Sequence, residues 1–158
     1  MNAMSSIHVG AVLFEEFELF DFYAPLELFG LLEDKAKITV VAQTLGGFRS
    51  SHGPRGGAEA TMAASGGFDV LLIPGGIGTR REMRNPAFLA ELRRLAESSG
   101  LVATGCTGSL LLAATGLLDG RRATTNKRVF KLVKDAAPKV NWVAKARWVE
   151  DGNFQPQR

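Results

Sequence analysis

The chain has 158 residues, 46% hydrophobic and 22% charged, enough for one domain with a sizeable core and ordinary for a globular protein. Its net charge is only +3, and its densest basic stretch (Lys127, Arg128, Lys131, Lys134) is diluted by Val129, Phe130, Leu132 and Val133 like a solvated helix face, which disfavours a nucleic-acid partner. No apolar run approaches the roughly 18 residues that span a bilayer, and no basic segment precedes an apolar one at the N-terminus, so no membrane partner or secretory signal is expected and the cytoplasm is the default.

Residues 1–6, with a second methionine at Met4, are expected to be disordered or not native to the domain, which takes residues 7–158. Ile7 to Phe14 reads as a buried first strand. EEFELFDF follows as a loop, and a helix is predicted from Ala24 to Glu33, with Pro25 in its first turn. Lys37 to Thr44 is a second, β-branched strand, after which paired glycines at 46–47 and 56–57 predict small hairpin strands. Asp69 to Ile73 is a strand stopped by Pro74-Gly75-Gly76, and Asn85-Pro86 opens an amphipathic helix with Phe88, Leu89, Leu92, Leu95 and Ala96 on one face. Leu101 to Thr104 is a strand running into Gly105-Cys106-Thr107-Gly108 and a helix from Ser109. ATT at 123–125 leads into a helix ending before Pro138, Trp142 to Val149 is predicted as a strand, and Asp151-Gly152 marks a turn. Strands alternating with helices predict a parallel sheet covered on both faces.

In such sheets sites form at the carboxyl ends of the strands, and Asp21, Gly75-Gly76 and Cys106 all fall there. Cys106 is the only cysteine, which leaves no internal disulfide and fits a reducing compartment. A lone cysteine can be a small buried hydrophobe, but the strand–turn–helix context is the cysteine counterpart of a serine nucleophile elbow, where a helix N-terminus favours thiolate over thiol.

Asp21, among Leu19, Phe20, Phe22 and Tyr23, is either the cap of the helix near Pro25 or a carboxyl whose pKa is raised by apolar neighbours, able to bond a thiol and shuttle a proton. Glu27 is expected in a surface pair. The Pro74–Gly78 stretch lacks the spacing of a nucleotide site, and its amides could turn the chain or form an oxyanion hole beside Cys106. His8 and His52 are expected to be structural or exposed, and with one cysteine they form no metal site.

DVLLIPGG, ATGCTGSLLLAATGLLDGRRATT, and Asp21 ahead of Pro25 together resemble the ThiJ/PfpI superfamily, and C-T-G-S with that aspartate resembles its isocyanide hydratase branch and the sensor domains of AraC-type regulators. The resemblance implies a flavodoxin-like three-layer α/β/α sandwich with a mostly parallel sheet, similar to class I glutamine amidotransferase domains. It implies Cys106 as nucleophile and Asp21 as its acid/base partner. Thr107 would position the substrate, and the Gly75-Gly76 turn and Thr107 would supply oxyanion amides. It implies no cofactor, a homodimer, and hydration of a small electrophile through a thioimidate to an N-substituted formamide. The alternative is a non-catalytic ligand- or redox-sensing domain built on the same thiol.

Thr107 stands where protease-like members place histidine, which disfavours a peptidase, and Asn126 stands where hydratase-like relatives often carry histidine, so the substrate range is expected to differ. Relatives continue beyond the DGN turn with a strand, a Ser-Gly-rich loop and a long helix. Here Gln155-Pro156-Gln157-Arg158 close the sequence, and a shortened member lacking that strand and helix, with a pocket open on one side, is expected.

Overall fold

The apolar runs become the strands of one parallel sheet in a computed structural model that describes residues 5–156. Strands β1 (Ile7–Val12), β2 (Ala36–Ala42), β5 (Ala60–Thr61), β6 (Val70–Ile73), β7 (Leu101–Thr104) and β10 (Phe154–Pro156) lie in the order β10–β7–β6–β1–β2–β5, every pairing parallel. β3 (Gly46–Arg49) and β4 (Arg55–Ala58) form the expected antiparallel hairpin, and β8 (Arg122–Ala123) pairs with β9 (Asn141–Trp142). The helices are α1 (Leu19–Gly30), α2 (Thr79–Glu82), α3 (Pro86–Glu97), α4 (Gly108–Ala114) and α5 (Phe130–Ala136). Of the expected N-terminal leader, residues 1–4 lie outside the described residues, as do Gln157 and Arg158; Ser5 and Ser6 are exposed coil.

The β1 strand has β2 on one side and β6 on the other, so the winding direction reverses there. The crevice outside the carboxyl ends of such strands is where a site can form. Asn85 caps α3 by accepting from Phe88 N at 3.2 Å, and Phe88, Leu92, Leu95 and Ala96 bury the face their spacing predicts. On α4, Leu110, Leu111 and Leu112 are all buried. Leu111→Ala is expected to cost about 2–5 kcal/mol, read as a lower denaturant midpoint at unchanged slope.

The predicted loop before Ala24 is helical. α1 begins at Leu19 with Glu18 at the cap, so Asp21 lies inside the first turn and caps nothing. Pro25 falls in the helix interior, where it cannot donate to the Asp21 carbonyl one turn back. Burial of Phe22, with Leu19 and Leu26 against the same core, holds the helix across the proline. The predicted strand over 142–149 shrinks to Asn141–Trp142. β8 ends at Ala123, whose carbonyl accepts from Val143 N at 2.8 Å, and beyond it the Thr124 hydroxyl donates to the carbonyls of Val143 (2.8 Å) and Ala146 (3.4 Å) in place of a strand pairing.

Two expectations about coverage are corrected. A strand does follow the Asp151–Gly152 turn: β10 pairs with β7, fastened where Arg122 N donates to Asp151 Oδ2 at 2.8 Å and the Arg121 guanidinium lies 4.8 Å from the Phe154 ring centre. The sheet is also not covered on both faces throughout. Alternate residues Leu71, Ile73, Val102 and Thr104 are buried, whereas Val70, Leu72, Leu101 and Ala103 line an open apolar groove of about 580 Å³ beside Phe20, Leu28 and Phe29 of α1.

Candidate active site

Cys106 follows β7 at the sharpest point of the chain. Its φ of 49° is left-handed, unusual for a residue with a Cβ, and such conformations persist only where neighbours over-determine them. The neighbours are two hydroxyls: Ser109 Oγ (3.0 Å) and Thr125 Oγ1 (3.1 Å) both donate to the Cys106 carbonyl. Gly105 N bonds back to Ile73 O at 2.9 Å, and Gly108 lets the helix start against the Ile73 carbonyl, where a Cβ would collide. The thiol is therefore held half-exposed at the crevice by backbone it does not choose.

Asp21 reaches the same point from α1. Its Oδ2 accepts from Gly75 N at 3.2 Å, and its carboxyl lies close enough to the Cys106 thiol for each group to shift the other's pKa. Gly75 must be glycine for this approach: a Cβ there would stand 2.7 Å from Thr107 N and 2.9 Å from Asp21 Oδ2. Gly75→Ala is accordingly expected to push Asp21 off the thiol, read as an altered pH dependence of Cys106 alkylation in a folded protein.

The glycine amides expected to hold an oxyanion are engaged otherwise. Gly75 N–H is taken by Asp21, and Gly76 N–H donates to Thr107 Oγ1 at 3.1 Å. The Thr107 hydroxyl thus clamps the Pro74–Gly78 loop, also donating to Gly76 O at 3.3 Å, and both its backbone N–H and its hydroxyl favour negative charge on the sulfur. The sequence also pointed away from the nearest side-chain donor to sulfur. Asn126 Nδ2 donates to Cys106 Sγ at 3.0 Å. The resemblance ties Asn126 to substrate range through the histidine that relatives often carry there, and its place at the start of a helical stretch marks a cap; neither points to a bond with the thiol.

The electrostatics reverse one expectation. Burial pushes the Cys106 thiol above its ordinary pKa, opposed by the Asn126 hydrogen bond and reinforced by the Asp21 charge, so the resting sulfur is held as thiol and not as thiolate. Burial also raises the Asp21 carboxyl, with the Gly75 amide opposing and the nearby Glu18 charge adding to the rise. One carboxyl and one thiol, each reluctant to ionise, act on each other at short range. Such a pair can pass a proton from sulfur to carboxylate as sulfur attacks and return it to the adduct.

The histidines stand apart from this pair. His8 Nε2 pairs with Thr39 Oγ1 at 2.9 Å and packs edge-on against Phe68, in β1. His52 Nε2 meets Glu18 Oε1 at 3.1 Å on the surface. Glu27 is exposed, and among the described residues it forms no ion pair of the kind expected of it. Among the described residues no three His, Cys, Asp or Glu side chains gather as a metal site, and no helix is long and apolar enough to cross a membrane.

The chain is 32% identical over 151 residues to an isonitrile hydratase of Pseudomonas putida, covering 94% of this chain and 64% of that protein. It is 32% identical over 91 residues to a deglycase of Thermococcus kodakarensis, covering 58% of this chain and 53% of that one. Among solved structures, a ThiJ/PfpI family protein from Pseudomonas syringae superposes with a TM-score of 0.86 at 27% identity, over 98% of this chain and 63% of that chain. The chain thus spans somewhat under two thirds of the length of these relatives. Residues 8–155, nearly the whole sequence and every residue of the site described above, match the DJ-1/PfpI family, and the chain belongs to that family.

Proposed function

We propose that the protein hydrates a small electrophile, an isocyanide in the first instance, with Cys106 as nucleophile and Asp21 as acid and base. The observation that carries this reading is the pairing of Asp21, anchored on Gly75 N, with Cys106 on its left-handed turn, each group resisting ionisation in the other's presence. The Asp21 carboxylate takes the thiol proton as sulfur bonds to the isocyanide carbon, then gives it to that same carbon, leaving an S-linked thioimidate. Water adds to this carbon, its proton passing through Asp21 to nitrogen. The C–S bond then breaks, sulfur regains a proton, and isocyanide plus water leave as an N-substituted formamide. No oxidant or reductant enters. The Pseudomonas putida relative supports the substrate class.

The protein is proposed to act in the cytoplasm, where a reducing environment keeps a half-exposed thiol free, and as a homodimer. The domain is proposed to correspond to residues 7–158. Incubation with an alkyl isocyanide should release the formamide; release of a hydroxyacid from an α-oxoaldehyde instead would move the substrate to the aldehydes.

The second reading is a redox- or ligand-sensing domain using the same cysteine, favoured by the partial exposure of Cys106 among hydrogen-bond donors. Peroxide reacts with thiolate, so a thiol held protonated weighs against it. Mass spectrometry after mild peroxide separates the two: a reversible oxidised cysteine at low oxidant is the sensor's signature.

A further inference from the structure

Asn126 grips the chain with one end of its amide and the sulfur with the other. It is the cap of a 3-10 turn over Lys127–Val129, where Oδ1 accepts from Arg128 N at 2.9 Å. A cap requires an acceptor, so the oxygen is committed and the NH₂ is turned to Cys106 Sγ, 3.0 Å away. Next to it, Thr125 is tied to the Cys106 carbonyl at 3.1 Å, so this segment and the elbow are fastened to one another.

Addition of sulfur to an electrophile creates negative charge beside the new bond, and a donor must meet it. The Gly75 and Gly76 amides are already occupied by Asp21 and Thr107. We propose that Asn126 is the anion-holding side chain of this site, its locked amide stabilising the Cys106 sulfur and the first adduct, beside the Thr107 N–H, in place of the glycine amides. A neutral amide donates a hydrogen bond without giving up a proton. Asp21 then carries the protons of the addition, as the hydratase reading requires. The turnover part rests on the hydratase reading; the hold on sulfur does not.

Asn126→Asp separates the two ends of the amide, because it keeps the capping oxygen and replaces the donor with an anion. Asn126→Ser keeps a capping oxygen and withdraws the donor. Cys106 is the only cysteine, so iodoacetamide reports on it alone. Both variants should melt near the parent and alkylate at neutral pH about tenfold more slowly or worse, the worth of a hydrogen bond to a charged group, with turnover of alkyl isocyanide falling in step. Alkylation at the parental rate in either folded variant would overturn the proposal and leave Asn126 a cap. Slowed alkylation in the variants, with no isocyanide turnover by the parent, would sustain the hold on sulfur and sink the hydratase reading instead.

Discussion

Asp21→Asn is expected to lower formamide release by about 10²- to 10⁴-fold, the usual worth of a positioned acid/base, while making the folded protein more stable at neutral pH. Asparagine can still accept from Gly75 N, so the loop keeps its anchor. The folded Asp21 carboxyl lies above its ordinary pKa of 3.8, chiefly through burial. The native state therefore holds this proton more tightly than the unfolded chain does. That contribution is fully present below the ordinary value and is lost as pH rises through the raised folded value. Asparagine carries no charge at any pH, so the melting temperatures of parent and variant should converge in acid and separate, in the variant's favour, as pH rises. A variant less stable at neutral pH would show that the carboxylate helps hold the fold.

The same substitution should quicken alkylation of Cys106, because the Asp21 charge is one of the influences keeping the thiol protonated. Faster alkylation with slower turnover distinguishes an acid/base partner from a residue that merely shapes the crevice. The active form in this scheme has Asp21 ionised and Cys106 protonated. The pH–rate profile should be a bell whose acid limb lies above the ordinary carboxylate range and whose alkaline limb lies above the ordinary thiol range. Both limbs belong to the pair rather than to either residue.

Cys106→Ala should abolish turnover entirely, since no other thiol exists in the chain to form the adduct. Cys106→Gly should be equally inactive, and the two differ in stability. At φ 49° alanine keeps the left-handed strain of the native cysteine, whereas glycine relieves it. Glycine is expected to exceed alanine by about 1 kcal/mol in denaturant unfolding. Equal stabilities would mean that the hydroxyls of Ser109 and Thr125, rather than any strain, dictate the elbow. Formamide release by either variant would end the covalent mechanism.

Much of the sheet was legible because its strands are continuous aliphatic runs and their ends carry glycine, proline or a cap. Ile7–Val12, Val70–Ile73, Leu101–Thr104 and the Asn85-capped α3 are local patterns of this kind. Where the sequence misled, long-range packing had the final word. Phe22 burial carries α1 through Pro25, β8 ends at Ala123 so that the strand predicted over 142–149 keeps only its first residue, and Asp151, accepting from Arg122 N, holds the turn into β10.

The tight turn that carries Cys106 between strand and helix, and the places of Asp21 and Gly75-Gly76 at neighbouring strand ends, follow from residue type and spacing. Which donors meet which acceptors there follows from the folded arrangement alone. It assigned the glycine amides to Asp21 and Thr107, brought Asn126 to the sulfur from a loop 20 positions away, and buried the thiol enough to keep its proton. Hydrogen-bond partners and desolvation depend on where distant segments come to rest, and sequence spacing does not encode that.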